Sequence, residues 1–261
     1  MTIAASATDA PILEARKLSR QFSGFYAVKD VDLSVRRHSV HALIGPNGAG
    51  KTTCFNLLTT FLAPSSGQVF FEGRDISRSD PASVAMSGMV RSFQISAVFG
   101  QMTVLQNVRV ALQKKAGGTF GFWRSAGTLR VLDARAMELL EKVGLAPWRD
   151  RPAAELPYGR KRALELATTI ALEPTMILLD EPMAGLGHED IGPVMALIRE
   201  VARGRTVLMV EHNMKVIAEL CDRVTVLQAG QVLAEGSYDE VSRDPRVIEA
   251  YVGGADDDDE Q

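Results

Sequence analysis

Gly45-Pro46-Asn47-Gly48-Ala49-Gly50-Lys51-Thr52 fits the spacing G-x-x-x-x-G-K-[ST], a pattern that can hold the phosphates of a nucleotide. Phosphate oxygens must be approached closely by backbone N–H groups. Side chains would block that approach, so glycines line the loop. A short apolar run, Val40–Ile44, precedes it. A helical pattern follows, with Cys54, Leu57, Leu58 and Phe61 at i, i+3, i+4 and i+7. The loop is therefore expected between a strand and a helix N-terminus, whose dipole favours an anion. Lys51 can reach the β- and γ-phosphates, and the Thr52 hydroxyl, with Thr53 beside it, can ligate Mg²⁺. The motif alone does not separate ATPases, GTPases and kinases, and there is no N-K-x-D guanine-reading motif.

Further on, Met176-Ile177-Leu178-Leu179-Asp180-Glu181-Pro182 is an apolar run ending in two carboxylates. A buried strand would deliver these acids at its C-terminal edge, where α/β sheets bind ligands. Asp180 is then expected to hold Mg²⁺, directly or through water, and Glu181 to orient and deprotonate an attacking water. In isolation the pair could merely cap the next segment; downstream of a phosphate loop, the catalytic reading prevails. Val207-Leu208-Met209-Val210-Glu211-His212 is a second apolar run, closely followed by a histidine. An imidazole placed there could donate a hydrogen bond to a γ-phosphate and report its presence.

The elements that must position these residues can be read from periodicity and breakers. Strands are expected at 12–18, 27–35, Val40–Ile44, 68–71, 176–179 and Thr206–Val210, and a hairpin across Ala229-Gly230 from 224–227 to 231–235. Residues 80–148 read as mostly helical, interrupted at 117–130 by a glycine-, aromatic- and base-containing stretch. Helices are also expected before Pro174, at 188–203, where Gly192-Pro193 weakens the first turns, at 213–221 and at 247–252. The alternation implies an α/β fold with a helical subdomain inserted at about 85–160. Residues 1–11 are expected to be disordered, and Asp256-Asp257-Asp258-Asp259-Glu260 falls in a solvated acidic tail, 255–261.

Composition narrows the function. A net charge of -3 over 261 residues gives no sign of a nucleic-acid partner. Cys54 and Cys221 lack metal-ligand spacing and read as small hydrophobes in a reducing compartment. No apolar run is long enough to span a bilayer, and the N-terminus does not read as a secretory signal. Service to a membrane would therefore go through a partner.

The order of these motifs resembles the ATP-binding-cassette (ABC) ATPases over nearly the whole chain, about 12–254. The resemblance implies a P-loop NTPase core with an antiparallel β subdomain and an inserted helical subdomain. It also implies ATP and Mg²⁺ as ligands. Asp180-Glu181 looks like the family's magnesium and catalytic-base pair, and His212 like its switch histidine. Gln94, in Val90-Arg91-Ser92-Phe93-Gln94, looks like the glutamine that senses Mg²⁺ and the attacking water. Phe22 stands where the family stacks an aromatic on adenine; Phe25 and Tyr26 are nearby alternatives, and all three could instead be core. Leu156-Pro157-Tyr158-Gly159-Arg160 occupies the place of the family's signature L-S-G-G-Q, whose helix N-terminus completes the ATP site of the opposite subunit. Gly159 is retained, Pro157 replaces the serine, and Gly187 stands where the family usually has Asp.

Within the family the chain most resembles ATPase subunits of bacterial branched-chain amino-acid importers. The likeness rests on Ile44 to Thr53, Arg91-Ser92-Phe93-Gln94, Leu156-Pro157-Tyr158-Gly159 and Asp244 to Tyr251, with an insertion at 114–134. It implies a second ATPase subunit in a homo- or heterodimer, transmembrane permease subunits, a periplasmic solute-binding protein and a place on the cytoplasmic face of the membrane. Importers of urea or amides and a lipopolysaccharide-type exporter are the alternatives. A low-turnover ATP-binding regulatory subunit and a soluble cassette ATPase of DNA repair or translation are the rivals of other classes.

Overall fold

The computed structural model describes residues 10–92, 98–115 and 126–252. Gln94, residues 1–9 of the stretch 1–11 expected to be disordered, and the acidic tail (255–261) lie outside them, as does the centre of the 114–134 insertion.

The first strands, β1 (Leu13–Phe22), β2 (Phe25–Val35), β4 (Ser66–Phe71) and β5 (Arg74–Asp75), form an antiparallel sheet in the order β2-β1-β4-β5. A second sheet has the order β10-β9-β3-β8-β7-β6. Its strands are β3 (Val40–Ile44), β6 (Met89–Ser92), β7 (Met176–Asp180), β8 (Thr206–Val210), β9 (Arg223–Gln228) and β10 (Gln231–Gly236). β6 to β9 run parallel to β3, and β10 closes the edge as the expected hairpin with β9. Ala229 and Gly230 both have positive φ, as a tight hairpin turn requires.

The large sheet divides the core in two. Ala42, Ile44, Ile177, Leu179, Val207 and Met209 face helices α3 (Val104–Lys115), α4 (Ala126–Lys142), α5 (Tyr158–Ala171), α6 (His188–Ala202) and α7 (Met214–Leu220). Leu43, Leu178, Leu208 and Val210 face the antiparallel sheet and α1 (Lys51–Leu58). Because both faces are covered, β3, β7 and β8 read as nearly continuous apolar runs. α2 (Pro81–Met86) is capped by Asp80, whose carboxylate accepts from the Ala82 and Ser83 amides. α8 (Tyr238–Val241) starts in a capping box of Ser237 and Glu240, and α9 (Pro245–Val252) ends the described chain.

Two expectations are corrected. Residues 80–148, expected to be mostly helical, contain a strand: Met89–Ser92, just after α2, is β6, paired with Met176–Leu179 of β7. Strand pairing, invisible to local periodicity, decides the conformation of so short a segment. The helix after the phosphate loop does not reach Phe61 but ends at Leu58. There the Thr59 hydroxyl donates to the Phe55 carbonyl, Thr60 turns left-handed, and Phe61 is left exposed. The helix expected at 188–203 is present as α6, running through Gly192-Pro193 with Val194, Met195, Ile198 and Val201 buried along it.

Buried polarity at the sheet's centre gives a pH-dependent term. His41 of β3 is fully buried, its Nε2 2.8 Å from the Thr225 hydroxyl, and its Nδ1 has no partner. Burial, helped by the charges of Arg223 and Arg36, lowers its pKa from 6.5 to about 4. The unfolded chain therefore takes up a proton first as pH falls. The His41 contribution to stability is complete above about pH 6.5 and is lost as pH falls to about 4, by about 3 kcal/mol in all. Chemical denaturation at pH 7 and pH 5 should show a smaller loss for His41→Gln than for the natural chain.

Candidate nucleotide-hydrolysis site

β3, β8 and β7 are neighbours running the same way, so their C-terminal ends place Gly45, Glu211-His212 and Asp180-Glu181 along one edge. The phosphate loop leaves β3 at Gly45, where a Cβ would lie 2.2 Å from the Leu227 carbonyl oxygen. Gly50 has φ 93, and a Cβ there would lie 2.4 Å from the Ala27 carbonyl. No side chain caps α1 at Gly50, so the first amides of this helix keep their capacity for an anion. Asn47 and Gly48 are exposed at the rim, Pro46 is half-buried, and the Ala49 amide donates to the Pro46 carbonyl. The β9–β10 turn also braces the loop, its Gly230 amide donating to the Ala49 carbonyl at 3.0 Å.

Lys51 curls back into this loop, its Nζ donating to the Gly45 and Pro46 carbonyls at 2.7 and 2.8 Å. Burial holds the ammonium below the usual lysine range, while the nearby Glu181 carboxylate opposes that shift. Thr52 is exposed and Thr53 half-buried beside it.

Asp180 ends β7 and is half-buried. Its Oδ2 accepts from the Arg91 guanidinium at 2.6 Å, and Arg91 also donates to Asn56 Oδ1 of α1 at 2.7 Å. The guanidinium lies over Phe55 and Phe61 at 4.9 and 5.4 Å. Arg91 thus ties β6, β7 and the phosphate-loop helix together, a role its sequence position did not reveal. Glu181 follows with φ 45, its amide donating to the Val210 carbonyl at 2.9 Å.

Glu211 is buried and gathers the amides of His212, Asn213 and Met183 onto its two oxygens at 2.7, 3.2 and 3.2 Å. It joins the loops after β7 and β8, and sequence reading had passed over it. The His212 side chain is mostly exposed, its Nδ1 3.8 Å from Glu211 Oε2.

Phe22, Phe25 and Tyr26 lie at the β1–β2 turn, and all three are exposed, which rules out the core alternative. Ala27, next along β2, abuts Gly50 and Gly230. Gly159, in the first turn of α5, packs on Asp190: a Cβ there would lie 2.7 Å from the Asp190 carboxyl carbon. The N-cap of α5 is Pro157, and no side chain caps its amides. Beside the site, a groove of about 330 Å³ opens between α2, β6, α3 and α5, lined by Phe61, Val84, Met89, Phe99, Val110 and Leu172 among others. Among the described residues, no helix is long and apolar enough to cross a membrane.

A phosphate loop, a carboxylate pair and a histidine on one edge of a parallel sheet define a nucleotide-hydrolysing cassette. The chain belongs to the ABC transporter family, whose description matches residues 28–184. It is an ATP-hydrolysing domain of that family. Residues 231–257 match a second description, "Branched-chain amino acid ATP-binding cassette transporter". The chain is 37% identical over 253 residues to the high-affinity branched-chain amino acid transport ATP-binding protein BraF of Pseudomonas aeruginosa, covering 94% of this chain and 99% of that protein. The corresponding LivG protein of Escherichia coli K12 is also 37% identical, with the same coverage. Among solved structures, a nucleotide-free cassette from an ABC transporter superposes with a TM-score of 0.79 at 30% identity, covering 92% of this chain and 98% of that one. The ADP conformation of an ATP-binding cassette of an ABC transporter does so at 0.79 and 31%, covering 93% and 99%.

Proposed function

We propose that this chain powers a membrane importer of branched-chain amino acids, working on the cytoplasmic face as one of two ATPase subunits. The observation that carries this reading is the convergence of Lys51, Asp180, Glu181 and His212 on one sheet edge, in a chain matching such transport proteins almost end to end. α3, α4 and the start of α5 would form the helical subdomain. The apolar groove beside β6 would receive a permease subunit, and a periplasmic binding protein would deliver the solute.

The residues suit Mg²⁺ with ATP. Mg²⁺ needs only one or two protein oxygens beside the phosphates. The Asp180 carboxylate and the exposed Thr52 hydroxyl offer them near the uncapped start of α1. The ion would neutralise charge on the phosphates. The amides of Gly48 to Thr53 would cradle the phosphates, and Lys51 would turn from its loop carbonyls onto them. Glu181 would take the proton of the attacking water, and His212 would contact the γ-phosphate. Gln94 is assigned to Mg²⁺ and that water on its motif, and Phe22 to the adenine on its exposed place at the β1–β2 turn. The α5 N-terminus at Gly159 would close on the ATP of the opposite subunit. ATP would thus join two chains, and its hydrolysis release them.

Uptake of labelled leucine, isoleucine, valine, urea and short amides, in cells deleted for this chain and in cells complemented with it, tests the reading. Restored uptake of the branched-chain amino acids alone is expected. Restoration of urea or amide uptake instead would reassign the solute, and no restored uptake with normal protein levels would point to export.

A further inference from the structure

The turn that carries Glu181 is braced from a different element. Glu181 sits at φ 45, a left-handed conformation that is costly for a residue with a side chain. Its amide donates to the Val210 carbonyl at 2.9 Å, and the Ala184 amide donates to the Glu181 carbonyl at 3.0 Å. The Ala184 carbonyl then accepts from the Tyr158 hydroxyl at 3.0 Å. The tyrosine ring end also lies against the following residue: a Cβ on Gly185 would be 3.0 Å from the Tyr158 oxygen and 3.2 Å from its Cζ. Tyr158 is the first residue of α5, and Gly159 beside it packs on Asp190 in the first turn of α6. The start of α5 is therefore joined, within one chain, to the turn bearing the carboxylate.

We propose that Tyr158 is a positioning residue for Glu181, conveying the placement of the α5 N-terminus to the general base. Its role rests on the reading of Glu181 as the base and of the α5 N-terminus as a phosphate contact for the opposite subunit. On that reading α5 meets one ATP while Glu181 serves the other. The hydroxyl bond to Ala184 makes closure over the first nucleotide fix the geometry at the second. A phenylalanine keeps the ring against Gly185 but cannot donate to the Ala184 carbonyl.

The test compares the natural chain, Tyr158→Phe, Glu181→Gln and the double variant, each as the full chain in the assembled transporter. Tyr158→Phe should lower kcat about fivefold, the scale of one net hydrogen bond. Binding of a fluorescent ATP analogue should stay within about twofold, because the bond is made to the turn and not to nucleotide. In the Glu181→Gln background the same change should not lower the residual rate further, because residues acting as a unit are not additive. An unchanged kcat in Tyr158→Phe overturns the inference, as does an equal fivefold fall in both backgrounds. A loss of nucleotide affinity matching the loss of rate also overturns it, since Tyr158 would then shape binding. If Glu181→Gln itself turns over at the natural rate, the assignment of the base fails, an outcome distinct from failure of the brace alone.

Discussion

Glu181→Gln is expected to cut ATP turnover about 100-fold or more while leaving nucleotide bound. The amide matches the carboxylate in size but cannot accept the proton of the attacking water. Nothing in the main chain should move, because the turn is held by the Val210 carbonyl and by the Ala184 amide, neither of which involves the side chain. The nearby Glu181 charge acts on Lys51 in opposition to burial. Neutralising it frees Lys51 from a competing anion, so nucleotide affinity should hold or rise slightly. Phosphate release and nucleotide retention, measured on the same preparation, check both halves. Turnover within about threefold of the natural chain would remove Glu181 from the role of base, since a positioned base contributes far more than that.

The parts of this site that could be read from sequence are those whose cause is local. The phosphate loop is legible because its glycine and lysine spacing is contained within eight consecutive residues. The fold adds a long-range demand for two of those glycines, since a Cβ at Gly45 or Gly50 would strike the Leu227 or Ala27 carbonyl. β3, β7 and β8 are legible because burial on both faces leaves nearly continuous apolar runs. What stayed hidden depends on chain crossings. Arg91 meets Asp180 across 89 residues, and Tyr158 meets Ala184 across 26. No spacing rule links such pairs until the sheet order is known. The Tyr158 hydroxyl, next to Pro157 in the segment that resembles the family's signature, finds its partner only in the turn after β7. Gly230 marked a hairpin correctly, but that its turn also supports the phosphate loop through Ala49 follows only from β9 lying beside β3. β6 was missed for the same reason, as four residues with a charged Arg91 become a strand only against β7.

Lys51→Ala should fail one step earlier than Glu181→Gln, at binding. The ammonium is half-buried and held by two loop carbonyls at 2.7 and 2.8 Å, poised where the phosphates would lie. Removing one partner of a charge-assisted contact of this kind costs about 2–5 kcal/mol. At 1.4 kcal/mol per tenfold, ATP affinity should fall about 30-fold or more. Lys51→Arg should not rescue it. A planar guanidinium is wider and cannot turn its donors onto the Gly45 and Pro46 carbonyls as a compact ammonium can. Fold stability should change little, because the loop is also held by main-chain bonds from the Ala49 amide to the Pro46 carbonyl and from the Gly230 amide to the Ala49 carbonyl. Titration with a fluorescent ATP analogue, with thermal melting alongside, checks the separation. Normal affinity in Lys51→Ala would mean that the loop amides alone hold the phosphates, leaving the lysine to act only on charge that develops during transfer. The variant would then bind as well as Glu181→Gln and, like it, fail at chemistry. The two residues, already coupled through their charges across the loop, would then share a single step.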